Sequence, residues 1–247
     1  MLSHYAVHTP LQGKPNKVAR YQKVAEAKRQ GKPAYAAMVE SVDDSVGKVM
    51  NTLGELGLDK DTLVIFTSDN GGFARATNNA PLRANKGSNY EGGLRVPVII
   101  KWPGRTKPGS GSREPVISTD FYPTILAATG HNLRPHQHLD GEDLTPLLTG
   151  KGSLNRDALF WHYPHYNSHP LAKPSSVLRK GDWKLIETFD PEGVELYHLG
   201  RDLSETTTLA AKEPAKLSAL RQELADWRKK VGAERMEPNP DYQKETR

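Results

Sequence analysis

Cysteine is absent from all 247 residues. That excludes disulfides, thiolate metal sites and a cysteine nucleophile within this chain. Long apolar runs are missing too: nothing approaches the ~18 consecutive residues that suggest a membrane-crossing helix. The opening, Met1-Leu2-Ser3-His4-Tyr5, has neither the basic start nor the apolar centre of a secretory signal. Hydrophobic residues make up only 36% and the mean hydropathy is −0.66, low values for a compact α/β domain. There is no internal repeat and no long low-complexity tract. Neither sign of charge dominates: 34 Lys and Arg face 29 Asp and Glu, a formal net charge of +5. The basic residues are dispersed without a clustered motif, so no nucleic-acid partner is expected. The excess suits an anionic substrate, and it suits an ordinary basic surface equally well.

What is present in quantity is punctuation: 21 Gly and 18 Pro mark many turns. Residues 2–7 read as the end of a strand that Thr9-Pro10 breaks, and residues 14–33 as a polar, lysine-rich surface excursion. From Ala34 the apolar residues Tyr35, Met38, Val39, Val42, Val46, Val49, Met50, Leu53 and Leu56 recur at steps of three and four, which predicts one helix with one apolar stripe. Gly57 is its candidate C-cap. A short turn then leads into the buried strand Leu63 to Phe66. Helix, turn and buried strand make half of a βαβ unit and predict a parallel sheet. A long polar loop, 73–95, precedes a second strand, Val96 to Trp102, stopped by Pro103-Gly104. Ser118-Thr119-Asp120 predicts an N-cap for a helix over Phe121 to Thr129, and a short helix follows at Leu144 to Leu148. Beyond about Gly150 the pattern changes to short strands at Ala158 to Tyr163, Ser176 to Arg179, Trp183 to Glu187 and Val194 to Leu199. Lys180-Gly181-Asp182 is a hairpin signal. A final amphipathic helix carries Leu217, Leu220, Leu224 and Trp227, and the tail after Gly232 is polar. The reading is two domains: an α/β core over 1–150, and a small antiparallel sheet with a terminal helix over 151–247.

Four short stretches hold candidate chemistry. In "TLVIFTSDNGG" the strand ends on Asp69-Asn70-Gly71-Gly72. Ligands of open α/β sheets bind beyond the carboxyl ends of the strands, and a carboxylate beside an amide oxygen is a hard donor pair of the type that holds Ca²⁺ or Mg²⁺. The glycines would admit a ligand or a positive φ; the alternative is a strand cap closed by an Asx turn. In "NKGSNYEGG", Lys86 stands among small residues, so its ammonium is a candidate point charge for a sulfate or phosphate, against the alternative of a solvated loop lysine. In "HYAVHTP", His8 falls where the first strand should end. Were that strand parallel to Leu63 to Phe66, His8 would share an edge with Asp69 and suit proton transfer to a leaving oxygen. The stretch "FWHYPHYNSHP", Phe160 to Pro170, offers His162, His165 and His169 either to a substrate pocket or to a Pro-rich surface loop. Their spacing is not that of a metal finger.

Taken in order, "HTP", "TLVIFTSDNGG" and "KGSNYEGGLRVPVIIKWPG" resemble the C-terminal half of the arylsulfatase-type sulfatases, members of the alkaline-phosphatase superfamily. The likeness continues through "STDFYPTILAATG", "LDGEDLTPLLTG", "LRKGDWKLIE" and "ELYHLGRDLSETTTLA". It implies an α/β fold: part of a mixed, mostly parallel sheet flanked by helices, plus a small C-terminal antiparallel sheet with a helix. It implies that Asp69 and Asn70 match divalent-metal ligands, Ca²⁺ above all with Mg²⁺ the alternative. Lys86 then matches the lysine that holds the sulfate group, and His8 the histidine near the leaving oxygen. The implied activity is hydrolysis of a sulfate ester on a sulfated small molecule or sulfated glycan. The rivals are a phosphodiesterase or phosphonate hydrolase of the same superfamily, and a non-catalytic remnant that binds Ca²⁺ or sulfated glycan.

The resemblance also says what to look for and not find. The family's nucleophile is a formylglycine made from the first residue of a C/S-x-P/A-x-R motif. Only Ser168-His169-Pro170-Leu171-Ala172 begins that pattern here, and it ends in Ala and follows the metal block. The family's first strand, with its aspartate pair, is not matched either. The expectation is a C-terminal portion that lacks the nucleophile, is inactive alone, and needs an N-terminal half, supplied by a longer frame or by a separate chain. Exported and lysosomal compartments are common in the family; the compartment of this chain is left open.

Overall fold

A computed structural model describes residues 1–25 and 31–237. The chain divides by its contacts into two units, Met1–Ala80 with Leu94–Asp157, and Pro81–Gly93 with Ala158–Arg247. The division does not coincide with a boundary at 150, because residues 81–93 group with the C-terminal strands.

In the first unit, the long periodic stretch folds as helix α2, Pro33–Glu55, with Pro at its first turn where a missing N–H costs nothing. Gly57 follows its end at φ +69, the left-handed conformation that closes helices. Part of the expected surface excursion is instead helix α1, Pro15–Gln22. It lies on α2: a Cβ on the preceding Gly13 would sit 2.8 Å from the Cβ of Ala37. Lys17, buried on α1, pairs with Asp44 and, at 3.3 Å, with Glu40 of α2. The polar composition of the segment hid a helix fastened by ions rather than by an apolar stripe. The remainder of that excursion, residues 26–30, lies outside the described residues, as does the end of the polar tail beyond 237.

Strand β1, Val64–Thr67, pairs with β2, Val98–Lys101, in antiparallel register from Val64 opposite Lys101 to Thr67 opposite Val98. An antiparallel pair is a normal constituent of the mixed sheet expected here. The expected strand over residues 2–7 is not formed. Tyr5 to His8 turns instead, with the His8 N–H donating to the Tyr5 carbonyl at 2.9 Å. A polar knot organises the rest of the unit. Asp120 is fully buried, and its carboxylate accepts the N–H of Ile117 at 2.8 Å, the N–H of Glu142 at 3.0 Å and the guanidinium of Arg156. Ser118–Asp120 is therefore a 3₁₀ turn, and Asp120 rather than Ser118 holds the entry to helix α4, Phe121–Ala128. Helix α5, Thr145–Thr149, ends at Gly150 in the left-handed conformation. Within this unit Phe66, Ile99, Val39, Val49 and Ile125 are all exposed, Ile99 at 63%.

The second unit contains the antiparallel meander β3 (Ala158–Tyr163), β4 (Ser175–Lys180), β5 (Trp183–Phe189) and β6 (Glu192–His198), paired in that order. Lys180 pairs with Trp183 across the two-residue turn Gly181-Asp182. The period of two sends alternate residues to opposite faces. Leu178, Leu185 and Leu196 face helix α6, Pro214–Val231, and meet its Leu220 and Leu224; Trp227 stacks on Phe160 at 4.9 Å. Val177, Ile186 and Tyr197 form the other core with Leu199, closed by Tyr90 and Ala84 of the 81–93 segment. That segment is the second cover of the sheet. It leads into the short helix α3, Glu91–Leu94.

Candidate functional site

Asp69 and Asn70 follow directly on β1. The Ser68 hydroxyl donates to the Asn70 carbonyl at 3.1 Å, and the Asn70 amide nitrogen donates to the Gly71 carbonyl at 3.2 Å. Once its nitrogen is engaged, the oxygen of Asn70 is the atom left to ligate. Asp69 is exposed and Asn70 half-buried. The positive φ expected of the glycines after them is not found. A Cβ on Gly72 would stand 2.5 Å from Thr77 Cγ2 and 2.9 Å from Asn79 Oδ1. Asn79 clamps that residue from both sides: its Oδ1 accepts the Gly72 N–H at 3.1 Å and its Nδ2 donates to the Gly72 carbonyl at 3.2 Å. Gly72 is thus required by its neighbours in the loop.

Two oxygen donors agree in type with a hard divalent cation. They fall short in number: among the described residues there is no group of three or more His, Cys, Asp or Glu placed to hold a metal. Asp69 and Asn70 can contribute to such a centre and cannot complete it.

His8 is exposed in the same unit. Its Nδ1 is 2.8 Å from the Thr9 carbonyl, which only accepts. The proton therefore sits on Nδ1, and Nε2 carries the lone pair that can take a proton.

Lys86 belongs to the second unit. It occupies a tight turn in which Ser88 N–H and Ser88 Oγ both donate to the Asn85 carbonyl, at 3.1 and 2.9 Å, with Gly87 at φ +93. The side chain is half-buried and makes no ion pair among the described residues. The turn is closed by Gly92 and Gly93. A Cβ on Gly93 would lie 2.1 Å from the Ser88 carbonyl oxygen, and one on Gly92 2.3 Å from that of Ala84. The Gly92 N–H donates to the Arg83 carbonyl at 2.8 Å. The Glu-Gly-Gly of the motif is the floor on which the lysine turn rests.

Of the aromatic-histidine stretch, His162 is structural: its ring nitrogens reach Ser176 Oγ and the Glu234 carbonyl, both at 2.7 Å. Asn167 and His169 instead border the lysine turn. Asn167 Nδ2 donates to the Gly87 carbonyl at 2.8 Å, and a Cβ on Gly87 would lie 3.2 Å from that of His169. His169 Nδ1 accepts the Leu171 N–H at 3.0 Å, which leaves its proton on Nε2. Sequence reasoning singled out His169 but missed Asn167 and Asn79, whose importance lies in contacts that no motif displays.

The first unit ends strand β1 on hard oxygen donors, and the second carries Lys86 in a turn closed by Gly92 and Gly93. The sulfatase family model matches residues 1–131, and that of the N-sulphoglucosamine sulphohydrolase C-terminal region matches residues 84–230. A sulfatase from Formosa agariphila is 39% identical over 230 residues, 85% of this chain and 41% of that protein. The crystal structure of Ps i-CgsB in complex with k-i-k-neocarrahexaose is 31% identical with a TM-score of 0.76, covering 90% of this chain and 48% of that one. Phosphonate monoester hydrolase SpPMH from Silicibacter pomeroyi is 25% identical with a TM-score of 0.63, covering 80% and 40%. The chain belongs to the sulfatase family. It spans less than half the length of these relatives, and the family uses a divalent metal.

Proposed function

We propose that the chain is the C-terminal portion of an enzyme that hydrolyses sulfate esters, R–O–SO₃⁻ plus water giving R–OH and hydrogen sulfate. Asp69 and Asn70 are two ligands of its metal, taken as Ca²⁺ because both donors are hard oxygens. The bound metal would draw charge from the non-bridging sulfate oxygens. Lys86 holds the sulfate group through its ammonium. That role rests on the observation that carries the reading: a half-buried lysine that makes no ion pair among the described residues, on a turn whose backbone is closed by a packed glycine pair. A charge held in place in this way would stabilise the charge that develops in a transition state. His8, with its proton on Nδ1, takes or returns a proton at Nε2 beside the leaving oxygen. The formylglycine nucleophile is assigned to polypeptide outside this sequence, since no cysteine or complete C/S-x-P/A-x-R motif is present.

The substrate class we favour is a sulfated saccharide, in line with the oligosaccharide complex formed by Ps i-CgsB. The partner we propose is the family's N-terminal half, seated on the exposed apolar side chains Phe66, Ile99 and Ile125 of the first unit; unpaired faces of that kind mark interaction surfaces. The likeness to the Silicibacter pomeroyi enzyme favours a second reading, phosphonate monoester hydrolysis, because a metal and a lysine treat tetrahedral oxyanions alike.

The test is turnover and binding by the purified chain. It is expected to release no sulfate from an aryl sulfate. It is expected to bind inorganic sulfate with signals at Lys86, lost in Lys86→Met. Turnover above a clean background would overturn the assignment of the nucleophile; sulfate binding untouched by Lys86→Met would overturn the role of Lys86.

A further inference from the structure

Holding a surface lysine in place needs little, yet the turn that carries Lys86 is anchored by an unusual amount of buried charge. Glu91, Lys184 and Glu205 are 3%, 1% and 0% exposed. Lys184 Nζ lies 3.0 Å from Glu91 Oε1 and 2.8 Å from Glu205 Oε1. The second oxygen of Glu205 accepts the Glu91 N–H at 2.7 Å, and the second oxygen of Glu91 receives Arg179 Nη1 at 3.3 Å. At the other end of the segment, Arg83 Nη1 donates to the Glu205 carbonyl at 2.7 Å and to the Tyr197 hydroxyl at 2.8 Å. The Tyr90 hydroxyl donates to Glu195 at 2.9 Å and Asn89 Nδ2 to Ser175 Oγ at 2.7 Å. The residues on either side of Lys86 are thus tied to β4, β5, β6 and the Glu205 loop.

Backbone conformation points the same way. Among the described residues, the non-glycine positions at positive φ are Ala84, at +61, and Glu205, at +51. Both belong to this joint. A residue with a Cβ stays in the left-handed region only where its surroundings over-determine it. Buried charges are costly unless paired; Lys184 lies within ion-pair distance of both carboxylates, while burial still pushes the Glu205 carboxyl above its ordinary range.

We propose that Lys184 is a positioning residue for Lys86: the Glu91–Lys184–Glu205 triad fixes the 83–93 turn against strand β5 and so sets where the Lys86 ammonium stands. On this view the C-terminal meander is a mount for an anion-binding lysine. The inference rests on the reading of Lys86 as a sulfate holder, and the experiment separates the two.

The full chain is compared with Lys184→Met, which keeps the stem and removes the charge, by segment-resolved hydrogen exchange and by NMR titration of the Lys86 and Gly87 amides with inorganic sulfate at constant ionic strength. The expected result is about tenfold faster exchange over 84–93 with the centres of β4 and β5 unchanged. The sulfate midpoint at Lys86 should rise about tenfold. Equal loosening of the turn, β3–β6 and α6 would reduce Lys184 to a general core residue and overturn the proposal, as would no change in either signal. If Lys184→Met does not fold, Glu91→Gln decides by the same two readouts. If wild-type Lys86 shows no response to sulfate, the sulfate reading fails; the exchange pattern then decides alone whether the triad positions the turn.

Discussion

Replacing Gly93 by Ala adds one methyl group, and the structure says where it lands. The new Cβ stands 2.1 Å from the Ser88 carbonyl oxygen, 2.8 Å from that of Asn85 and 2.9 Å from Ser88 Oγ. Two of these atoms are backbone, so no rotamer change relieves the contact. The turn must move by more than an ångström, and it carries Lys86. Overpacking of this kind costs about 1–3 kcal/mol; a cost near the middle, about 2 kcal/mol, raises the local opening constant about thirtyfold. Gly54 is the control. It is exposed in α2 with nothing within 4 Å of its Cβ position, so Gly54→Ala should stabilise its helix by roughly 1 kcal/mol. Hydrogen exchange resolved by segment reads both. Gly93→Ala should speed exchange over 84–93 about thirtyfold, and Gly54→Ala should slow it several-fold in the second half of α2. Destabilisation of equal size at both sites, or an unchanged turn in Gly93→Ala, would refute the view that the glycine pair exists to floor the lysine turn.

Asp120→Ala strands the Arg156 guanidinium and two amides in a buried site, so it should cost the first unit about 3–5 kcal/mol, with Asp120→Asn less damaging; the urea midpoint followed at Trp102, the tryptophan of that unit, measures it. Acidification should release α1 from α2. Hydrogen bonding and charge from Lys17 hold Asp44 below the ordinary carboxylate range; for Glu40, burial opposes this but Lys17 and Arg20 outweigh it. Depressed carboxylate pKa values mean a contribution that is full above the ordinary range and lost as pH falls through the lowered values; exchange at α1 against pH should show loss on the acid side, and loss on the alkaline side near neutrality would contradict it. Asn79→Ala removes both bonds to Gly72, each worth about 0.5–1.5 kcal/mol, so the 69–73 loop should exchange about tenfold faster while β1 holds.

The C-terminal half was legible because its signals are local. Short strand-like runs and a Gly-Asp hairpin mark β3 through β6, and Leu220, Leu224 and Trp227 fall on one face of α6. The long helix was legible for the same reason. What stayed hidden is tertiary. The direction in which β1 pairs with β2 depends on a partner more than thirty residues away, and an apolar run is silent on parallel or antiparallel. Residues 2–7 read as the end of a strand before Thr9-Pro10, but Tyr5 closes a turn onto His8. Lys17 looked like solvent-facing charge because its partners sit on another helix. The triad under Lys86 joins Glu91 to Lys184 across 93 positions, which no motif spacing reveals, although Glu91 was in plain view beside the glycines whose packing role it shares.

The claim that this chain holds the metal and sulfate contacts of a sulfatase is tested most directly in a chimera. The 230-residue stretch of the Formosa agariphila sulfatase that aligns with this chain would be replaced by this chain, leaving the rest of that protein in place. Sulfate release from a sulfated saccharide is the readout. The account predicts turnover that falls by at least about a hundredfold in Asp69→Ala and in Lys86→Met, with Gly54→Ala unaffected. A folded, active chimera indifferent to both substitutions would contradict it.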